Sequence, residues 1–248
     1  MELVLLTPTC DRPEAFALCE RWMARQRNAP PFRWIVADDG QVPAPVTMGQ
    51  VHLRHKGTTP GGPPSAAYNM GRACRRAEAD GADGYIVIED DDWYGADYVH
   101  TMARLLEQCP LVGEGDAIYF NIQTRTWVRH RNTGHASMCQ TGWRAEVMPT
   151  VLDILGRIDP SQSREDIKLW GRWSGAKIVI PGGSHPLAVG MKGLPGKKEF
   201  GVGHRPGAHW NKDFDLMQLR DWIGADADVY RDIIPENPKL RGGMTVGA

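Results

Sequence analysis

Gly84-Tyr85-Ile86-Val87-Ile88-Glu89-Asp90-Asp91-Asp92-Trp93-Tyr94 is the stretch that decides the fold. Its front half, Tyr85–Ile88, is a short apolar run entered through Gly81 and Gly84, and it reads as a buried strand. Its back half is four consecutive carboxylates. Packed this closely they repel one another, and each takes up a proton if desolvated without a partner. A divalent cation relieves that strain: hard oxygen ligands suit Mg²⁺ or Mn²⁺, and those ions usually share their coordination with substrate phosphates. A solvated acidic turn is the alternative for any acid run. Position favours the ligand site, because open α/β sheets bind ligands beyond the carboxyl ends of their strands.

Upstream, Glu2–Thr7 reads as a strand ended by Pro8, and Asp11-Arg12-Pro13-Glu14 as a capping box for an amphipathic helix with Phe16, Cys19, Trp22 and Met23 on one face. Arg33–Ala37 is a second strand that runs into Asp38-Asp39-Gly40, and Gln50–Arg54 a third. Gly57–Pro64 is a loop of defined turns. Ser65–Ala79 is a helix with Ala66, Met70, Ala73, Cys74 and Ala77 on one face, and Gly95–Cys109 is another. This alternation implies a mostly parallel sheet. Two of its strands end in acids, so both acid runs are expected on one edge, facing one nucleotide.

From Asp116 the pattern changes. Ala117–Ile122, Thr126–His130 and His135–Thr141 read as strands of an antiparallel extension, Arg144–Gly156 and Ser163–Trp173 as helices, and Lys177–Ile180 as a strand. A Gly-, His- and Lys-rich segment follows from Pro181, then a helix near 213–223 and a frayed tail at Gly242–Ala248. One domain over 1–248 is expected: a nucleotide-binding half (1–115), an acceptor half (116–190) and a C-terminal loop and helix (191–248).

Composition adds boundaries. The 42% hydrophobic and 24% charged fractions are those of a globular protein, and a net charge of −1 argues against a surface built for polyanions. Five scattered cysteines without a Cys-x-x-Cys pair fit a reducing compartment. The strand-like start lacks a signal peptide, and no apolar stretch approaches the roughly 20 residues that span a bilayer. A cytoplasmic protein is the expectation, in the cytoplasm of an infected host if the chain is phage-encoded.

Five motifs in order resemble the GT-A glycosyltransferases, in particular the inverting family-two group. They are Thr7-Pro8-Thr9-Cys10-Asp11-Arg12-Pro13, Val36-Ala37-Asp38-Asp39-Gly40, Ala67-Tyr68-Asn69-Met70-Gly71, Glu89-Asp90-Asp91-Asp92, and Ser163-Arg164-Glu165-Asp166-Ile167-Lys168-Leu169-Trp170. Tyr68 departs from the pattern, which commonly has a basic residue there. The resemblance implies a GT-A (Rossmann-like) domain with helices on both sheet faces. In it Pro8, Thr9, Arg12, Asp39, Asn69 and Asp90 would hold a nucleotide-diphosphate sugar, with UDP-sugar the expected donor. Asp90 and Asp92 would hold Mn²⁺ or Mg²⁺, and Asp166 would be the general base for the acceptor hydroxyl. The chemistry needs one, since a hydroxyl is a poor nucleophile at neutral pH.

The segment Gly190–Arg205 departs from the family pattern and lacks the Gly-Lys-Ser/Thr ending of a Walker loop. Lys192 and Arg205 are expected to close over the diphosphate, and His204, with His209 second, to complete the metal's ligands. For the acceptor, alternation places Arg125, Trp127, Arg129 and Arg131 on one strand face, able to contact phosphates and stack a base. Trp93 and Trp210 are the further stacking candidates. The loop also resembles phage transferases that glycosylate hydroxymethylated pyrimidines in DNA, which makes modified DNA the expected partner. A surface-glycan or small-molecule acceptor, a metal-dependent nucleotidyltransferase and a silent binding module are the alternatives. The oligomeric state is not legible.

Overall fold

The structure is a computed structural model and describes residues 1–55, 65–157, 164–194 and 206–233. The loop expected at Gly57–Pro64, the residues His204 and Arg205, and the tail at Gly242–Ala248 lie outside the described residues.

The chain opens with β1 (Leu3–Thr9), α1 (Pro13–Ala24), β2 (Phe32–Asp38), β3 (Val51–Arg54), α2 (Ser65–Ala79), β4 (Gly84–Val87), β5 (Trp93–Tyr94), α3 (Tyr98–Gln108) and β6 (Leu111–Glu114). It continues through β7 (Ile118–Asn121), β8 (Thr126–Arg129), β9 (Thr141–Arg144), α4 (Met148–Gly156), α5 (Glu165–Arg172) and β10 (Lys177–Ile180). The last elements are β11 (Ala188–Lys192), β12 (Asn211–Lys212), α6 (Met217–Ile223) and α7 (Ala227–Ile233). The main sheet has the order β10-β6-β9-β4-β1-β2-β3, and all its pairings are parallel except those that β9 makes with β4 and β6. A second sheet, β12-β8-β7-β11-β5, is mostly antiparallel. This is the mixed α/β architecture expected, with a larger extension than the sequence suggested.

β1 sits inside the main sheet, between β4 and β2, because both of its faces are apolar, as buried parallel strands require. Leu3 and Leu5 pack on one side with Phe16 and Trp22 of α1 and Met102 of α3. Val4 and Leu6 pack on the other with Met70 of α2, Val151 of α4 and Trp170 of α5. Alternation at period two thus feeds two cores, one under each layer of helices. The first core continues into the second sheet through Phe120 and Met191 and reaches α7, where Trp22 Nε1 donates to Tyr230 at 3.0 Å. Each large apolar side chain so buried contributes about 1.5–3 kcal/mol.

Local readings fail where tertiary pairing overrides them. β1 runs through Pro8 to Thr9, because the ladder with β4 ends at Leu6, and a missing N–H beyond it breaks no pair there. The capping box does not form. Arg12 is the N-cap without a side-chain cap bond, and Asp11, at φ 52°, accepts from the Val42 N–H instead. On α2 it is Ala67, not Ala66, that faces the core. The helix expected from Gly95 begins at Tyr98, after Trp93 and Tyr94 pair with β11. His135–Gln140 is not a strand; it passes through a 3₁₀ turn into β9, which takes Thr141 from the expected strand and Arg144 from the expected helix.

Candidate functional site

The carboxyl ends of β1, β2 and β4 lie side by side on one edge of the main sheet. Their first tie is Asn69 of α2, which is fully buried. Its amide donates to the Thr9 carbonyl (2.9 Å) and to Asp39 Oδ1 (2.8 Å), while its oxygen meets His55 Nε2 at 2.7 Å. The second tie is the Thr9 hydroxyl, which donates to Asp90 Oδ2 at 2.6 Å. Thr9, Asp39, Asn69 and Asp90, drawn from four separate motifs, are therefore one hydrogen-bonded group.

The acids after β4 are held by two protein cations. Arg12 donates to Asp90 Oδ1 (3.2 Å) and Asp91 Oδ2 (2.8 Å). Lys192, at the end of β11, places Nζ 2.9 Å from Asp92 Oδ1, 3.2 Å from Asp91 Oδ1 and 3.7 Å from Glu89 Oε2. The Met191 N–H adds a bond to Asp92 Oδ1 at 2.9 Å. Burial pushes Glu89, Asp90 and Asp92 above the usual carboxylate range, with Arg12 and Lys192 opposing. Burial acts on Asp91 too, but Lys192 and Arg12 on either side outweigh it and hold that carboxyl down. Lys192, against its own burial, is held charged by Asp91, Asp92 and Glu89.

Asp38 is used differently. It accepts from the Gly40 and Ala44 N–H groups (2.8 and 2.9 Å), from His52 at 3.0 Å and from Arg54 at 2.7 Å. Burial raises its pKa, but Ala44, Gly40, His52 and Arg54 together bring it below the ordinary value. The turn after β2 is thus built on Asp38, which leaves Asp39 to join Asn69. Glycine is needed next, since a Cβ on Gly40 would stand 2.4 Å from the Asp11 backbone nitrogen.

No family model matches the sequence, and no curated protein matches it. Solved structures do. S. aureus TarS 1-349 in complex with UDP-GlcNAc superposes with a TM-score of 0.54 at 13% identity, over 84% of this chain and 60% of that one. The same protein in complex with UDP gives 0.53 at 12% identity, over 77% and 60%. The chain has the GT-A fold. It spans about 60% of the length of the TarS chains it matches.

Within the GT-A fold, Asp166 lies in the first turn of α5, where its Oδ1 accepts from the Ile167 N–H at 2.7 Å. Burial raises its pKa; the Ile167 N–H and nearby His135 oppose. Four residues after His135 comes Cys139, whose sulfur lies within 4.8 Å of ligand atoms of Glu89 and Asp92.

The metal ligands Asp90, Asp92 and His204 are not brought together as a set among the described residues. Both Asp90 oxygens are engaged by Thr9 and Arg12, and His204 lies outside the described residues. Glu89, Asp92 and Cys139 could converge on an ion, and Asp92 Oδ2 has no hydrogen-bond partner among the described residues. Lys192 stands against this. Its ammonium already bonds Asp92 Oδ1 and Asp91 Oδ1, so a divalent ion would have to share or displace it. As arranged, the acids hold a protein cation, which occupies Asp92 Oδ1.

The remaining expected residues are placed as follows. Lys192 is a buried strand end, not part of a glycine-rich loop. Trp93 donates to Asp226 and packs in the core, and Trp210 is buried with Ala117 and Tyr119. Trp127 packs edge-on against Trp222, ring centroids 4.9 Å apart. Arg125 donates to the Phe214 carbonyl, and Arg129 to the Gly182 carbonyl. Sequence reasoning missed Cys139 and the fact that Lys192 and Arg12 reach the acids. None of the three carried a local signal for these contacts, which join segments far apart in sequence.

Proposed function

We propose that the protein is a glycosyltransferase, moving a sugar from a nucleoside-diphosphate sugar, with uridine the expected base, to an acceptor hydroxyl. The observation that carries this reading is the single hydrogen-bonded group made by Thr9, Asp39, Asn69 and Asp90 at adjacent strand ends, on a GT-A fold. The TarS structures hold UDP and UDP-GlcNAc, which supports a nucleotide-sugar donor here.

In this reading Asp39 and Asp90 accept hydrogen bonds from the nucleoside, and Asn69 and Thr9 fix their orientation. Arg12 and Lys192 offset negative charge near the diphosphate. Asp166 takes the proton from the acceptor hydroxyl, the oxygen bonds to the anomeric carbon, and the bond to the diphosphate breaks with its electron pair on the departing oxygen. One such displacement inverts the anomeric carbon. The raised pKa of Asp166 suits a base that works near neutral pH.

The acceptor is open between two classes. Hydroxymethylated pyrimidine in DNA rests on a basic aromatic strand whose Arg125, Trp127 and Arg129 already have internal partners. A glycan or small-molecule acceptor fits the structural neighbours no worse. The protein incubated with UDP-sugars and each acceptor class should release UDP, with transfer abolished in Asp166→Asn. Release of pyrophosphate would instead mark a nucleotidyltransferase, and an unaffected Asp166→Asn would remove the assigned base.

A further inference from the structure

We propose that Lys192 is the resident cation of the acid cluster, and that this protein binds its donor diphosphate without a divalent metal ion. The second half rests on the glycosyltransferase reading; the first half does not.

The argument begins with where Lys192 lies. It ends β11, between β7 and β5, in a strand whose five residues are all buried. A lysine is almost never fully buried unless it is paired. Here its ammonium meets Asp92 Oδ1 and Asp91 Oδ1 at hydrogen-bond distance and lies 5.8 Å from the Tyr119 ring centroid. Glu89 Oε2, at 3.7 Å, is beyond hydrogen-bond reach. An ammonium has three N–H donors. Two therefore hold the acids, and the third makes no hydrogen bond among the described residues, which suits it to meet an incoming anion.

Arg12 repeats the device on the far side of Asp91. The order Arg12, Asp91, Lys192, Asp92 alternates in sign through the cluster. A divalent ion bound by these acids would need its oxygens to converge at about 2.0–2.2 Å, and the ammonium already holds Asp92 Oδ1 and Asp91 Oδ1. What an ion does for a leaving diphosphate, neutralising its charge, falls to the two side chains.

Manganese titration of the full chain, followed by electron paramagnetic resonance of the free ion, tests the first half without any nucleotide. Wild type should bind no stoichiometric Mn²⁺ below about 1 mM, whereas Lys192→Met, which keeps the length and removes the charge, should gain a site at least roughly tenfold tighter. One tight Mn²⁺ per wild-type chain, lost in Asp92→Asn, would overturn the proposal even if Lys192→Met fails to fold. Calorimetry with UDP and GDP then tests the second half. Wild-type affinity should be equal in EDTA and in Mn²⁺, while Lys192→Met should bind weakly in EDTA and recover with Mn²⁺. Wild-type binding that needs Mn²⁺ sinks the inference and leaves the glycosyltransferase reading standing. No binding of either nucleotide under any condition sinks that reading, and the manganese titration alone then decides the role of Lys192.

Discussion

Two acid runs end strands that flank β1, and they are stabilised by opposite means. Asp38, the last residue of β2, is held by two N–H groups of its own turn together with His52 and Arg54 of the adjacent β3. Glu89–Asp92, after β4, draw their partners from Arg12 in one direction and Lys192 in the other, about 80 and 100 residues away in sequence. Local N–H donors lock a loop and leave the carboxylate nothing further to bind. Distant cations hold charge in place while leaving the cluster free to exchange partners. A strand-end carboxylate is thus part of the frame or of the site according to who neutralises it.

The sharpest way to break this comparison is Asp92→Ala. Turnover should fall by roughly 10³-fold, as for loss of a charged group from a preorganised site, while the chain still folds. Unchanged product release would show the second run to be a frame as well. Asp38→Ala should act the other way round. It strips four partners from a buried carboxylate and should cost about 3 kcal/mol in chemical denaturation, with the folded fraction keeping its affinity for UDP.

Glu114 sharpens the rule, because it too is held by N–H groups, from Leu187, Ala188 and Gln140. Here burial wins over those donors and lifts its pKa from 4.5 to about 7. A carboxyl raised on folding destabilises the folded state once ionised, so its contribution falls as pH rises from about 4.5 to 7. Asp38, lowered on folding, works in reverse: it stabilises above its ordinary value and loses that effect as pH falls. Stability measured from pH 4.5 to 7.5 should decline by on the order of 2 kcal/mol in wild type relative to Glu114→Gln. Parallel curves would assign the slope to other groups. The smallest effect is expected from the exposed pair Arg27–Asp97. Arg27→Ala should leave the chemical-denaturation midpoint unchanged, and a clear loss would mean that exposed pairs also frame this fold.

Much of the first half of the chain was legible because its signals are local. β2, β3, β4 and α2 follow from apolar runs and helical spacing bounded by Gly and Pro, and α2 begins and ends at the expected residues. β6 and β11 were not legible. Leu111–Glu114 is four residues long beside Pro110, and Ala188–Lys192 lies in a glycine- and histidine-rich context and ends in a lysine. Both exist because a long-range partner supplies their hydrogen bonds. The site divides in the same way. Thr9, Asp39, Asn69 and Asp90 belong to ordered motifs, but nothing local shows that Arg12 spans 78 residues to Asp90 or that Lys192 enters the acids.

The antiparallel insertion of β9 between β4 and β6 also sets a timetable for synthesis. β4 ends at Val87 and β9 begins at Thr141, 54 residues later (141 − 87). At about 5–20 residues per second, the ribosome leaves that edge of β4 unpaired for roughly 3–11 seconds. β6 is made in the interval but pairs with β9 and β10 rather than with β4, so it has no berth until the later strand emerges. An open apolar edge in a nascent chain is a template for mispairing. The acids that follow β4 are translated immediately after it, and their charge guards the exposed strand before it has any ligand to meet.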